Sequence, residues 1–192
     1  MKFLFVDCET TDLNPISGGL IQVAGIVEID GNIVEEFNFK AKPYKGEFVS
    51  KKALEINGVT LEELRTWPEP AVMYRQVKSV LGKYVDKFDK SDKFYAVGQN
   101  VGFDLEFLKF LFVKNGDHYF GSYIHYNKID LIPVSLVMKL AGRIDVPNMK
   151  LESVMAALEM GKQSHDALDD IRATRQIFYK YVEWVKVGAT PV

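Results

Sequence analysis

The stretch Lys2-Phe3-Leu4-Phe5-Val6-Asp7-Cys8-Glu9-Thr10-Thr11 constrains the chain more than any other. A nearly all-apolar run of strand formers reads as a strand buried on both faces, so it needs a layer on each side, and it delivers two acids at its far end. Side chains alternate along a strand, which puts Asp7 and Glu9 on one face and Cys8 on the other. Two carboxylates side by side at the edge of a core repel each other. At ~4 Å and an effective dielectric constant of ~20 such a pair costs on the order of 4 kcal/mol. A hard divalent cation with oxygen ligands would relieve that cost. The alternative is a strand that simply ends in solvated acids, and the rest of the chain has to decide between the two.

With 192 residues, 47% hydrophobic and 26% charged, the chain reads as one domain spanning 1–192 with a sizeable core. The net charge of -2 argues against a strongly basic surface, so a nucleic-acid ligand would have to be held by local basic patches and metal ions. One cysteine excludes an internal disulfide and makes Cys8 a small buried hydrophobe. The apolar start is interrupted at Asp7, too early for a signal-peptide core or a membrane span, so the expectation is a cytoplasmic protein with no membrane partner.

After a polar loop closed by Gly18-Gly19, residues Leu20 to Asp30 and Asn32 to Lys42 flank Asp30-Gly31, a hairpin signal. Short helical pieces are expected around Ala53–Ile56 and Leu61–Leu64, ended by Pro68 and Pro70. Ala71 to Phe88 reads as a helix with Val72, Val77, Val80, Leu81, Tyr84 and Val85 on its apolar face. Phe94 to Gly98 is a short strand, and a helix from about Phe103 to Lys114 follows, carrying Asp104 in its first turn. That strand-to-helix junction is where open α/β sheets build their sites. Ile129-Asp130-Leu131 touches another strand, and helices are expected over Pro133–Ala141, Leu151–Leu158 and Ala167–Val187. The last of these buries Ala167, Ile171, Thr174, Phe178, Tyr181, Val182 and Val185. Hairpin strands first, then strands alternating with helices, predict an α/β layer fold with a mixed sheet.

A third acidic cluster, Gln163-Ser164-His165-Asp166-Ala167-Leu168-Asp169-Asp170, stands where the last helix starts. At 100° per residue Asp170 falls beside Ala167, Ile171 and Thr174, whereas Asp169 faces away. His165 is either an ordinary surface or core histidine or, beside inward carboxylates, a general base, since imidazole titrates near neutral pH.

Asp7-x-Glu9-Thr10, Asn100-x-x-Phe103-Asp104 and His165-x-Ala167-x-x-Asp170 together resemble the three motifs of the DEDDh, or DnaQ-like, 3′-5′ exonucleases. That family includes the proofreading epsilon subunit of bacterial DNA polymerase III, oligoribonuclease and RNase T. The resemblance implies a ribonuclease H-like fold, a five-stranded mixed sheet with helices on both faces. It implies that Asp7, Glu9, Asp104 and Asp170 hold two divalent cations, Mg2+ or Mn2+, which act on both the attacking and the leaving oxygen of an in-line displacement. It makes His165 the base for the attacking water and puts Thr10, Leu13, Asn100 and Phe103 against the substrate. Phe103 either stacks on the terminal nucleotide or anchors the helix it begins.

The chain departs from the family pattern at Asp12, Asn57, Gln99 and Leu131, none of them a ligand position. The implied activity is metal-dependent 3′-5′ exonucleolytic hydrolysis of single-stranded nucleic acid with a free 3′ end, DNA favoured over RNA, releasing nucleoside 5′-monophosphates. The rival reading is a non-catalytic nucleic-acid-binding module of the same fold. A degenerate copy should have lost a carboxylate or the histidine, and all five are present. No tail after the last helix resembles the epsilon subunit's polymerase-binding or clamp-binding segments, so the sequence does not point to membership of a replicative polymerase.

Overall fold

Residues Lys2–Thr10 form β1, Leu20–Ile29 β2 and Asn32–Lys40 β3 in the computed structural model, which describes residues 1–161, 163 and 166–188. These three strands form an antiparallel meander in which Asp7 pairs with Ala24 and Val23 with Phe39. The β2–β3 turn works because Asp30 (φ 50°) and Gly31 (φ 85°) both take positive φ, as the tightest hairpin turns require. Two shorter strands, β4 (Tyr95–Gly98) and β5 (Ile129–Asp130), continue the sheet in parallel with β1, giving the order β3-β2-β1-β4-β5. β1 is therefore central, and its apolar residues meet a layer on each side.

On one side, α3 (Pro70–Tyr84) and α4 (Val101–Lys114) pack with Leu4, Val6 and Cys8. On the other, α5 (Leu131–Leu140), α6 (Leu151–Ala157) and α7 (Ala167–Gly188) enclose Phe5, Ala24, Ile26 and Val97. Two short helices, α1 (Lys51–Ile56) and α2 (Leu61–Thr66), close a third small cluster around Ile21, Leu54 and Leu64. α7 is fixed to the sheet by a buried charge. Glu28 on β2 is fully buried and accepts from Arg175 Nε at 2.7 Å and from the Tyr179 hydroxyl. Among the described residues no helix is long and apolar enough to cross a membrane.

The mixed sheet and its flanking helices are as expected, and several boundaries are corrected. The helix read to Phe88 stops at Tyr84, because Val85 is extended and the Asp86 carboxylate takes the Phe88 N–H at 3.0 Å in place of a helical bond. Met73, not Val72, fills the core from that helix. α4 starts two residues before Phe103, since Asn100 in the left-handed conformation (φ 60°) begins it. Leu131 opens α5 rather than extending a strand. Val185 is 60% exposed, not buried, because the last turns of α7 outrun what it packs on.

Candidate active site

The alternation of β1 decides where its acids go. Phe5 packs under α7, so Asp7 and Glu9, two and four residues on, emerge on that same side, partly exposed, while Cys8 turns into the opposite core. Asp170 comes to the same place from the first turn of α7 and is only 5% exposed, whereas Asp169 is exposed and accepts from Arg172 at 3.3 Å. Asp104, 3% exposed in the first turn of α4, accepts the backbone N–H of Cys8 at 3.0 Å. That bond pins the start of α4 to β1 between the two strand acids. The junction is braced from its other side by Asp130, which accepts from Asn100 N–H and from Ile132 N–H, both at 3.0 Å. Gly98 allows the approach, since a Cβ there would stand 2.8 Å from the Val6 carbonyl oxygen.

Electrostatics bind these carboxylates into one group. Burial first, then the charges of Glu9, Asp170 and Asp166, push the Asp7 carboxyl up from 3.8 to about 8. Glu9 is pushed up to about 7 by burial and by Asp170 and Asp166. Asp104 is raised well above the carboxylate range by burial and then by Asp7, against the opposing pull of the Cys8 N–H. The buried Cys8 thiol is pushed up too, chiefly by desolvation, and stays protonated.

Among the described residues no three His, Cys, Asp or Glu side chains stand close enough together to hold a metal ion as they are placed. The donor set nonetheless has the chemistry of a hard-cation site. It is all oxygen, it is desolvated, and the side-chain charges that raise Asp7, Glu9 and Asp104 are all carboxylates. Where no cation balances them, protons do.

Two contributors were not legible as such in the sequence. Asp166 caps α7, accepting from Leu168 N–H at 3.0 Å, and its charge acts on both strand acids. Its position one helical turn before Asp170 is the signal that could have found it. Gln163 Nε2 donates to Asp170 at 2.6 Å. His165 lies outside the described residues.

Beside Glu9 opens a cleft of about 410 Å³ lined by Thr10, Leu13, Lys52, Asn57 and Phe103, among others. Three of the four residues expected to meet substrate are thus gathered there. The fourth, Asn100, is exposed at the turn into α4 and is not part of the lining. Thr10 is nearly buried, its hydroxyl donating to the Asp12 carbonyl at 2.8 Å, whereas Leu13 is 81% exposed. Phe103 packs on the core and on the Phe107 ring, with centroids 4.9 Å apart, which is the anchoring role, and it also lines the cleft. The other wall comes from α1 and its end, where Asn57 Nδ2 donates to the Thr10 carbonyl at 3.0 Å.

The family model of RNase T-type exonucleases matches residues 4–178. Over 192 aligned residues, the PolC-type DNA polymerase III of Thermotoga petrophila is 31% identical; the match takes in 98% of this chain but only 12% of the relative's length. The ribonuclease T of Buchnera aphidicola is 24% identical, over 97% of this chain and 86% of its own. Among solved structures, E. coli Exonuclease I in complex with a dA16 oligonucleotide superposes with a TM-score of 0.77 at 26% identity, covering 95% of this chain and 40% of that one.

Proposed function

Given that the chain belongs to the RNase T-type exonuclease family, we propose that it is a metal-dependent 3′-5′ exonuclease that removes nucleoside 5′-monophosphates from single-stranded nucleic acid, DNA in preference to RNA. The observation that carries this reading is the convergence of Asp7, Glu9, Asp104 and Asp170 from three separate segments, desolvated and mutually repelling. These four would hold two divalent cations, Mg2+ or Mn2+. Bound there, such a pair supplies positive charge to both the attacking and the leaving oxygen of a phosphodiester.

The chain's own residues do the rest. The cleft beside Glu9 receives the terminal nucleotide, with the Phe103 ring offering a face that accepts any base, at ~1–3 kcal/mol per stacked base, and Leu13 adding apolar contact. Lys52 brings a cation to the same cleft for a phosphate, and Asn57 ties its wall to the end of β1. His165, five residues before Asp170 in sequence, takes the proton from the attacking water. The Cys8 N–H holds Asp104 in place and leaves the thiol out of the chemistry. A cytoplasmic enzyme trimming DNA 3′ ends in proofreading or repair is the setting this reading favours, and the Exonuclease I complex with an oligonucleotide supports the strand as ligand.

The test is incubation with 5′-labelled and 3′-labelled single-stranded DNA and RNA. With Mg2+ or Mn2+ the 5′ label should step down a ladder one nucleotide at a time while the 3′ label leaves at once as a mononucleotide, and EDTA should stop both. Internal cuts, or no cleavage of either polymer in either metal, overturn the proposal.

A further inference from the structure

At the opposite end of β1 from the acids lies a second and larger cleft, of about 740 Å³, lined by Lys87, Phe88, Lys90, Lys93, Tyr119 and Ser122. Its place follows from the sheet. Lys2, at the start of β1, pairs with Asp92 of the loop between α3 and β4, while Glu9 marks the other end. Seven rises of ~3.3 Å put Lys2 and Glu9, which mark the two ends, about 23 Å apart along the strand.

The loop 85–93 alternates acids with lysines, and the fold sorts them. The acids are held by loop amides, the Ser91 hydroxyl and Lys2, and none of them is among the residues lining the cleft. Asp86 accepts from Phe88 N–H, Asp89 from the Ser91 N–H and hydroxyl, and Asp92 from Asp86 N–H and Lys2. The three lysines line the cleft instead.

Among them stand two large rings that the core does not use. Phe88 is 85% exposed and Tyr119 68% exposed. Lys87 Nζ lies over one face of the Phe88 ring, 5.0 Å from its centre, which holds a cation next to an aromatic ring whose other face stays open. The far wall is held firm: Lys93 donates to the Gly121 carbonyl, and Phe94 exchanges backbone bonds of 2.9 and 2.8 Å with Tyr123 and His125.

We propose that this cleft is an auxiliary binding site for single-stranded nucleic acid, holding a stretch of strand far from the 3′ end being cut. The charge of the whole chain is -2, so a polyanion is attracted only where lysines cluster apart from acids. Lysines alone would suit any polyanion. Two exposed rings in the same cleft add faces on which bases stack without regard to sequence, which an acidic peptide cannot use. The link to turnover rests on the exonuclease reading, whereas binding itself does not.

The experiment measures anisotropy of labelled oligo-dT of about 4 and about 16 nucleotides, spanning the known range of single-strand site sizes. It uses the full chain in EDTA and compares the unaltered protein with Phe88→Ala and with Lys87→Gln/Lys90→Gln. All three side chains are exposed, and unchanged thermal melts check the fold. Loss of the ring should weaken the 16-mer by about 5- to 150-fold. Loss of the two lysines should lower the slope of log affinity against log salt by about 1.4, at ~0.7 per phosphate contact. The 4-mer, held at the other end of β1, should bind as before in EDTA and, in a parallel assay with Mg2+ or Mn2+, turn over as before.

The proposal is overturned if 16-mer affinity stays within about twofold in both variants, or if the two lengths weaken alike. It is equally overturned if oligoglutamate of matched charge displaces the 16-mer as well as unlabelled oligo-dT does, which would make the surface one for acidic protein segments. Absence of cleavage in Mg2+ or Mn2+ with the length-dependent binding intact would sink the exonuclease reading and leave this one standing.

Discussion

Replacing Asp7 by asparagine should make the metal-free protein more stable at alkaline pH while destroying its activity. Burial and three neighbouring carboxylates raise the Asp7 carboxyl from 3.8 to about 8 in the folded chain. Between those values the folded state binds more protons than the unfolded one, so stability falls as pH rises through the window, and the fall is complete above about pH 8. At 1.36 kcal/mol per pH unit the rise corresponds to a cost on the order of 6 kcal/mol. Asparagine abolishes the charge but still buries an amide, at ~1–3 kcal/mol, which leaves a net gain of ~3–5 kcal/mol at pH 9. For a domain of this size that is about 6–20 °C in melting temperature. At about pH 4 the carboxyl is protonated in the folded state, so the gain is absent and only the cost of the buried amide remains: the variant should melt no higher than the unaltered chain. Thermal melts in EDTA from pH 4 to 9 read the difference directly. Added Mn2+ should then stabilise the unaltered chain much more than the variant. A difference that does not change with pH, or an Asp7→Asn variant that melts lower than the unaltered chain at pH 9, would refute the argument that clustered, desolvated charge governs this site.

Asp170→Asn should abolish cleavage and weaken metal binding, whereas Asp169→Asn, at an exposed position paired with Arg172 on its own helix, should change the rate little; parallel turnover assays check the ranking. His165→Ala should lose roughly 10²–10⁴-fold in turnover and the acidic limb of the pH–rate profile, with substrate affinity nearly unchanged, because a base must be neutral to accept the proton. Arg175→Ala leaves Glu28 buried without its cation, which should cost about 3–5 kcal/mol and lower the melting temperature by about 6–20 °C in calorimetry.

Much of this site could be read from the chain because its logic is local. The alternation of β1 fixes that Asp7 and Glu9 share a face, and the phase of α7 separates Asp170 from Asp169, whatever the rest of the protein does. Asp30-Gly31 made its turn for the same reason, with positive φ available at both positions. What escaped was settled by competition or by distant contacts. Tyr84 ends α3 because Asp86 and its neighbours use their side chains to hold backbone amides, an outcome that the apolar pattern running on to Val85 conceals. Asp166 looks like a plain helix cap until Asp7 is brought beside it. The wall of the cleft made by Lys52 and Asn57 depends on how the segment after β3 folds back against Thr10, which no periodicity encodes. Val185 has the right spacing to be buried, and among the described residues nothing covers it.

If the carboxylate cluster directs water onto the last phosphodiester at the 3′ end, the oxygen of that water ends on the released phosphate. Hydrolysis of a single-stranded DNA oligomer in ¹⁸O-labelled water with Mn2+, followed by mass spectrometry of the first nucleotide released, tests it most directly. The expected product is the 3′-terminal residue as a nucleoside 5′-monophosphate carrying one heavy oxygen on phosphorus, formed by the unaltered chain and not by Asp7→Ala. Release of the 5′-terminal residue, a nucleoside 3′-monophosphate, or equal release by Asp7→Ala would contradict it.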